Sequence, residues 1–168
     1  MQGKGAPYFE TEISKYFRKA GIGWQLVDGE LRLRGPEAFE QTVATARAAL
    51  DEGGHPTAEQ EIHKALQDLS RRPDPDITGA LHHAMAGLEC LAREVTGDAK
   101  ATLGEILKRN PTLFPTAVRQ ALEKLWGYAS EYGRHVREGR APDPEEAELV
   151  VGLASVAVTY LTKKTPMS

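Results

Sequence analysis

Apolar residues recur every three to four positions through most of this chain, the spacing that lays a stripe along one side of a helix. Over residues 7 to about 20, Phe9, Ile13 and Phe17 stand four apart, and Gly21-Ile22-Gly23 ends the run. The period then drops to two. Over 24–33, apolar residues alternate on either side of Asp28-Gly29, a pair that favours a type I′ turn, so a short β-hairpin is predicted. Helical spacing resumes with Pro36 in a first turn and continues to about 52, before Gly53-Gly54. A further helix over about 56–71 carries Ile62, Ala65, Leu66 and Leu69 on one face. The stiff linker 72–76 supplies an N-cap for a long helix over about 77–95, striped by Ile77, Leu81, Ala84, Leu88, Leu91 and Val95.

After Thr96-Gly97 a short helix is expected at 102–109, then a loop framed by Pro111 and Pro115, then a helix from 116 to about 132 with Val118, Leu122, Leu125 and Trp126 inward. From 127 to 139 the periodicity fades and three glycines intervene, which predicts a kink or break. Asp143 caps a last helix over 144–164, acidic in its first turn and basic in its last, as the helix dipole favours. Its apolar stretch 149–161 is too short to span a bilayer, which takes about 20 residues, so a buried core helix is expected. The predicted fold is mainly α. A helical bundle over residues 55–168 carries an appendage, residues 1–54, built from a short N-terminal helix, the hairpin and a helix.

Composition narrows the function classes. Among 168 residues, 40% are hydrophobic and 27% charged, as in an ordinary globular chain. Lys and Arg number 21 against 24 Asp and Glu, and a net charge of −3 argues against nucleic-acid binding through overall charge. The charge is unevenly placed. Residues 108–140 hold seven basic side chains against three acidic, a local excess of four that leaves −7 for the rest. Such a stretch is either a solvated face paired with acidic helices or a place that holds phosphate. The single cysteine, Cys90, excludes an intramolecular disulfide and fits a reducing compartment; no apolar run follows residues 1–5, so a signal peptide is not expected and a cytoplasmic location is the default.

Within the basic stretch, Arg134, His135, Arg137 and Arg140 cluster beside glycines at the predicted break. A histidine can give and take protons near neutrality, and guanidinium groups clamp a phosphoryl centre as charge builds, so these are parts for metal-free phosphodiester transfer. The plainer reading is a capped helix end with a polar histidine. On the long helix, His82 lies about 100° and Glu89 about 80° from Leu81, at the border of the buried stripe, with Arg93 one turn beyond. They would orient a catalytic group, brace an interface, or form an ordinary border pair. His83 and Cys90 fall on the far side. Glu59 and His63 share a face, but no second carboxylate and histidine complete a di-metal site, and no HExxH, Walker, GxSxG or dinucleotide motif occurs. Neither metal nor cofactor is expected.

Five segments together, LVDGELRLRG after FETEISKYF, LHHAMAGLEC, TLGEILKRNP and above all GYASEYGRHVREGR before an apolar last helix, resemble the abortive-infection AbiJ-type N-terminal modules. These belong with the HEPN-like helical domains of bacterial antiviral defence. The resemblance spans about residues 8–164. It implies a four-helix-type bundle that dimerises, and in active members metal-free RNA cleavage at an Arg/His site between the last long helices, shared by two subunits. On that resemblance His135 is the motif histidine and Arg134 the arginine directly before it; the stricter R-x-x-x-x-H pattern would place Arg at 130, where this chain has Ser130. The implied roles are His135 as general acid or base and Arg134 as phosphorane stabiliser, with Arg137, Arg140 and Lys124 holding RNA phosphates and His82 and Glu89 in support. The implied partners are a second copy, RNA and a partner domain or protein of a defence system, with no membrane. The alternative is a catalytically inactive dimerisation, sensor or partner-binding module.

Overall fold

The computed structural model describes residues 6–20, 22–134 and 141–165. Helix α1, Ala6–Lys19, leads into strands β1, Trp24–Val27, and β2, Glu30–Leu33. The strands pair antiparallel with Trp24 opposite Leu33 and Val27 opposite Glu30. Asp28 and Gly29 join them with φ of 51° and 78°, the two positive values of the expected type I′ turn. A lone hairpin is marginal in water, and here two helices complete it. Glu10 of α1 accepts hydrogen bonds from the Gly29 and Asp28 amides at 2.6 and 3.2 Å, and the Ser14 hydroxyl accepts from the Leu26 amide at 2.9 Å. On the other edge the Leu33 amide donates to Ser70 Oγ at 2.7 Å.

The remaining helices are α2, Glu37–Glu52; α3, Pro56–Ser70; α4, Ile77–Thr96; α5, Leu103–Arg109; α6, Thr116–Arg134; and α7, Pro144–Lys164. Helices α2, α3, α4 and α7 pack on one another as a four-helix core, with α3 against α4 the most extensive pairing. Helix α4 sits centrally and buries Leu81, Ala84, Leu88 and Leu91, together with Ala80, Met85 and Ala92 beyond the expected stripe. Each fully buried Leu contributes about 1.5–3 kcal/mol of transfer free energy, so this one helix anchors the domain. Helices α5 and α6 lean on α4 from outside that set. The core includes Val43, Ala46 and Leu50 of α2 and is therefore continuous across residue 54.

Helix ends follow their chemistry. Asp76 accepts from the Gly79 amide at the start of α4, and Gly97 closes that helix with φ of 72°. Thr102 with Glu105, and Asp143 with Glu146, form capping boxes at α5 and α7.

The structure corrects or refines the sequence expectations at four points. Of the stretch 127–139 foreseen to kink or break, α6 runs unbroken through Gly127 to Arg134, with Leu122 and Ala129 buried and the Tyr128 and Tyr132 rings edge to face, and 135–139 lie outside the described residues. Val118, expected inward, is 46% exposed, because α6 meets the core only from Leu122 onward. Phe9 is exposed while Ile13 and Phe17 are half-buried, since α1 covers only the small hairpin. The last helix is not buried all round: it buries Val150, Val151, Ala154 and Val158 but leaves Leu149, Leu153 and Val156 in solvent. No helix among the described residues is long and apolar enough to cross a membrane.

Candidate functional site

The long helix α4 and the later half of α6 face each other across the start of α5, and between them lies a cavity of about 250 Å³. His82, Glu89 and Arg93 of α4 line it with Trp126 and Ser130 of α6. Trp126 can lie close because α5 presents Gly104 to it: a Cβ there would stand 2.9 Å from the indole Cζ3. Ser130 thus shares a wall with His82 and Glu89, and Arg134 follows it by four residues, one turn further along the same helix.

The polar groups of this cavity are mostly engaged. Glu89 accepts from the Leu103 amide at 2.7 Å through one oxygen and pairs with Arg93 at 2.6 Å through the other. Arg93 Nε in turn donates to the Ala101 carbonyl at 2.8 Å. Helix α5 cannot satisfy its own first amides, so Glu89 closes that deficit as well as countering the helix dipole. His82 is exposed, and its ring stands edge-on to that of His83 with centroids 5.5 Å apart. The cavity brings His82 and Glu89 to one wall, but no hydrogen bond between them is present.

His135, Arg137 and Arg140 lie outside the described residues, and Arg134 is the last residue of α6. Lys124 is exposed with no ion pair among the described residues, and its place on α6 is nearly opposite Trp126, away from the cavity. Part of the basic excess is internally neutralised: Arg109 pairs with Asp98 at 2.8 Å and Arg119 with Glu123 one turn along. Arg109 and Arg119 therefore fall on the paired side of the two readings of the basic stretch.

The histidines elsewhere have structural partners that a helical wheel does not reveal. His83, placed on the far side of α4, is half-buried against α3, where Nδ1 meets Glu61 at 2.6 Å and Nε2 stands 3.7 Å from Asp68. Burial pushes the Glu61 carboxyl up, but hydrogen bonds from Lys64 and His83 outweigh it and hold it below its usual range. Burial raises Asp68, with His83 pulling the other way. His55, at the N-cap position of α3, is buried and contacts Glu94 of α4 at 2.5 Å. Glu59 and His63 do not act together: Glu59 pairs with Arg47 of α2 at 2.7 Å, and His63 stands 3.6 Å from Glu30 of the hairpin. Cys90 is half-buried, and burial raises its thiol, which keeps it a poor nucleophile.

Sequence reasoning located Glu89 at the border of the α4 stripe but missed its partner, because the Leu103 amide returns to α4 through a turn whose path no periodicity encodes. The Trp126–Gly104 contact was equally hidden, although the glycine inside a short amphipathic helix is a signal for close approach. No family model, curated protein or solved structure matches the chain.

Proposed function

We propose that the chain is a HEPN-like module of bacterial antiviral defence acting on RNA without metal, with its site where α6 ends. The observation that supports this reading is the unbroken course of α6 to its last residue Arg134, one turn beyond Ser130 on the wall of a polar, aromatic-lined cavity. The four-helix core of α2, α3, α4 and α7 is in keeping with it. In this reading His135 moves the proton of the attacking ribose hydroxyl. Arg134, with Arg137 or Arg140, answers the charge that grows on phosphorus. Trp126 offers an indole face near the cavity, and base-aromatic stacking contributes about 1–3 kcal/mol per base. The protein works as a homodimer in a defence system.

The test is cleavage of single-stranded RNA in EDTA by wild type and by His135→Ala. Wild type is expected to cut, and the variant to lose at least about 100-fold in rate, the contribution typical of a general acid or base, with an unchanged thermal midpoint. Wild type that neither cuts nor binds RNA ends the reading.

A second reading, a catalytically inactive interaction module, is favoured by one specific observation. Glu89 and Arg93 are engaged with α5 and with each other, and Ser130 stands where the stricter motif has arginine. In that case His135→Ala is silent in every assay and the surface of the bundle carries the function.

A further inference from the structure

Helix α7 buries one face in the core and leaves a second apolar face bare. Leu149 is 61% exposed, Leu153 44% and Val156 56%, and their spacing of four and three residues makes one stripe. The half-buried Tyr160 extends that stripe by a further turn. Beside it runs an open groove of about 550 Å³ between α2 and α7, walled by Thr42 and Thr45 on one side and Val156 and Tyr160 on the other. Scattered exposed leucines need no explanation, but a continuous stripe flanking a groove marks a contact surface.

Charge selects the occupant. The helix carries Glu145 and Glu146 in its first turn and Lys163 and Lys164 in its last. Two copies of α7 laid antiparallel about a two-fold axis passing between Ala154 and Ser155 put position n of one against position 309 minus n of the other, by sequence register alone. Leu149 then meets the second copy's Tyr160, Leu153 meets Val156, and Glu145 and Glu146 meet Lys164 and Lys163. Each apolar position finds an apolar one and each acid finds a base, the self-complementarity that an isologous interface requires. A parallel arrangement would place acid on acid and base on base.

We propose that a second copy of this chain docks on the exposed face of α7, antiparallel and two-fold, with Leu149, Leu153, Val156 and Tyr160 as the apolar centre and Glu145 and the two lysines as the polar rim. This pairing stands on α7 alone and does not depend on RNA cleavage. It has a consequence for the homodimer proposed above. A helix of 21 residues is about 30 Å long, so the two Asp143 caps lie at opposite ends of the interface.

The experiment is sedimentation equilibrium of the full chain from 1 to 100 µM. Wild type is expected to sediment as a dimer of the 18.4 kDa chain, and Leu153→Glu as a monomer with an unchanged helical circular dichroism spectrum. A second measurement avoids the apolar substitution. Glu145→Lys and Lys164→Glu each place like charges at both ends of their own homodimer and should weaken it at least 10-fold. Mixed one to one they place opposite charges at both ends and should recover a heterodimer. Monomeric wild type at 100 µM, a dimer indifferent to Leu153→Glu, or variants that fail to recover on mixing would overturn the proposal. So would a monomer that binds phosphatidylcholine vesicles through the stripe, which would assign the face to lipid.

Discussion

Glu89 shows how far a single side chain's role departs from its place on a helical wheel. Its position at the edge of the α4 stripe suggests a partner for His82, yet its oxygens are taken by the Leu103 amide and Arg93. The amide is one of the first in α5 and has no intrahelical acceptor. Glu89→Ala therefore leaves the Leu103 N–H unpaired and takes the carboxylate from Arg93, whose Nε still donates to the Ala101 carbonyl, at a half-buried position, a loss of about 1–3 kcal/mol. His82→Ala, an exposed change with no hydrogen bond removed, is expected within about ±0.5 kcal/mol. Urea denaturation of the two variants checks this, and equal midpoints would show that Glu89 does not brace α5. A border carboxylate was legible in the sequence. Its duty was not, because that depends on where a turn 14 residues later returns.

At the scale of elements, two glycines in helices behave oppositely, and space rather than propensity decides the sign. Gly127 sits in α6 where an added Cβ would meet nothing within 4 Å, whereas at Gly87 of α4 a Cβ would stand 2.9 Å from Ile62 Cδ1 and 3.2 Å from the Ala58 carbonyl oxygen. The first is open surface; the second is where α3 and α4 touch backbone to side chain. Gly127→Ala is expected to stabilise by about 1 kcal/mol, the ordinary helix preference of alanine. Gly87→Ala must set that same gain against overpacking of about 1–3 kcal/mol and is expected to be neutral to destabilising. Denaturation midpoints moving in the same direction by the same amount would refute the close α3–α4 contact. The same contrast explains what was readable. Helix existence, the hairpin turn and the caps at Asp76 and Asp143 follow from local pattern, and all are present. The course of α6 past Gly127 and the bare face of α7 depend on what packs where, which periodicity alone does not carry.

For the molecule as a whole, the sum of −3 conceals a division of charge that also governs how the appendage is held to the bundle. Beneath the hairpin, the buried Arg32 pairs with Glu30 at 3.2 Å, Arg47 of α2 pairs with Glu59 of α3, and His63 lies among them with its Nδ1 buried and without a hydrogen-bond partner. Burial first, and then the neighbouring Arg47 and Arg32, push the His63 imidazole below its ordinary value of 6.5, with Glu30 and Glu59 pulling weakly the other way. A histidine whose folded pKa is depressed takes up its proton more readily when released. Its contribution to stability is accordingly full above about 6.5 and is lost as pH falls through that value and on towards the folded pKa. Since His63 touches the appendage through Glu30 and the Leu33 amide is held by a single serine, the hairpin should loosen before the four-helix core does. Amide exchange measured at pH 7.5 and 5.5, corrected for intrinsic rates, is expected to show lost protection in residues 24–33 and little change in α4. His63→Gln, which cannot charge, should flatten that difference. Equal loss of protection in hairpin and core, or a variant as pH-sensitive as the wild type, would place the acid sensitivity elsewhere, and the carboxylates raised by burial at Glu40 and Asp68 work against it, since their cost is relieved as pH falls.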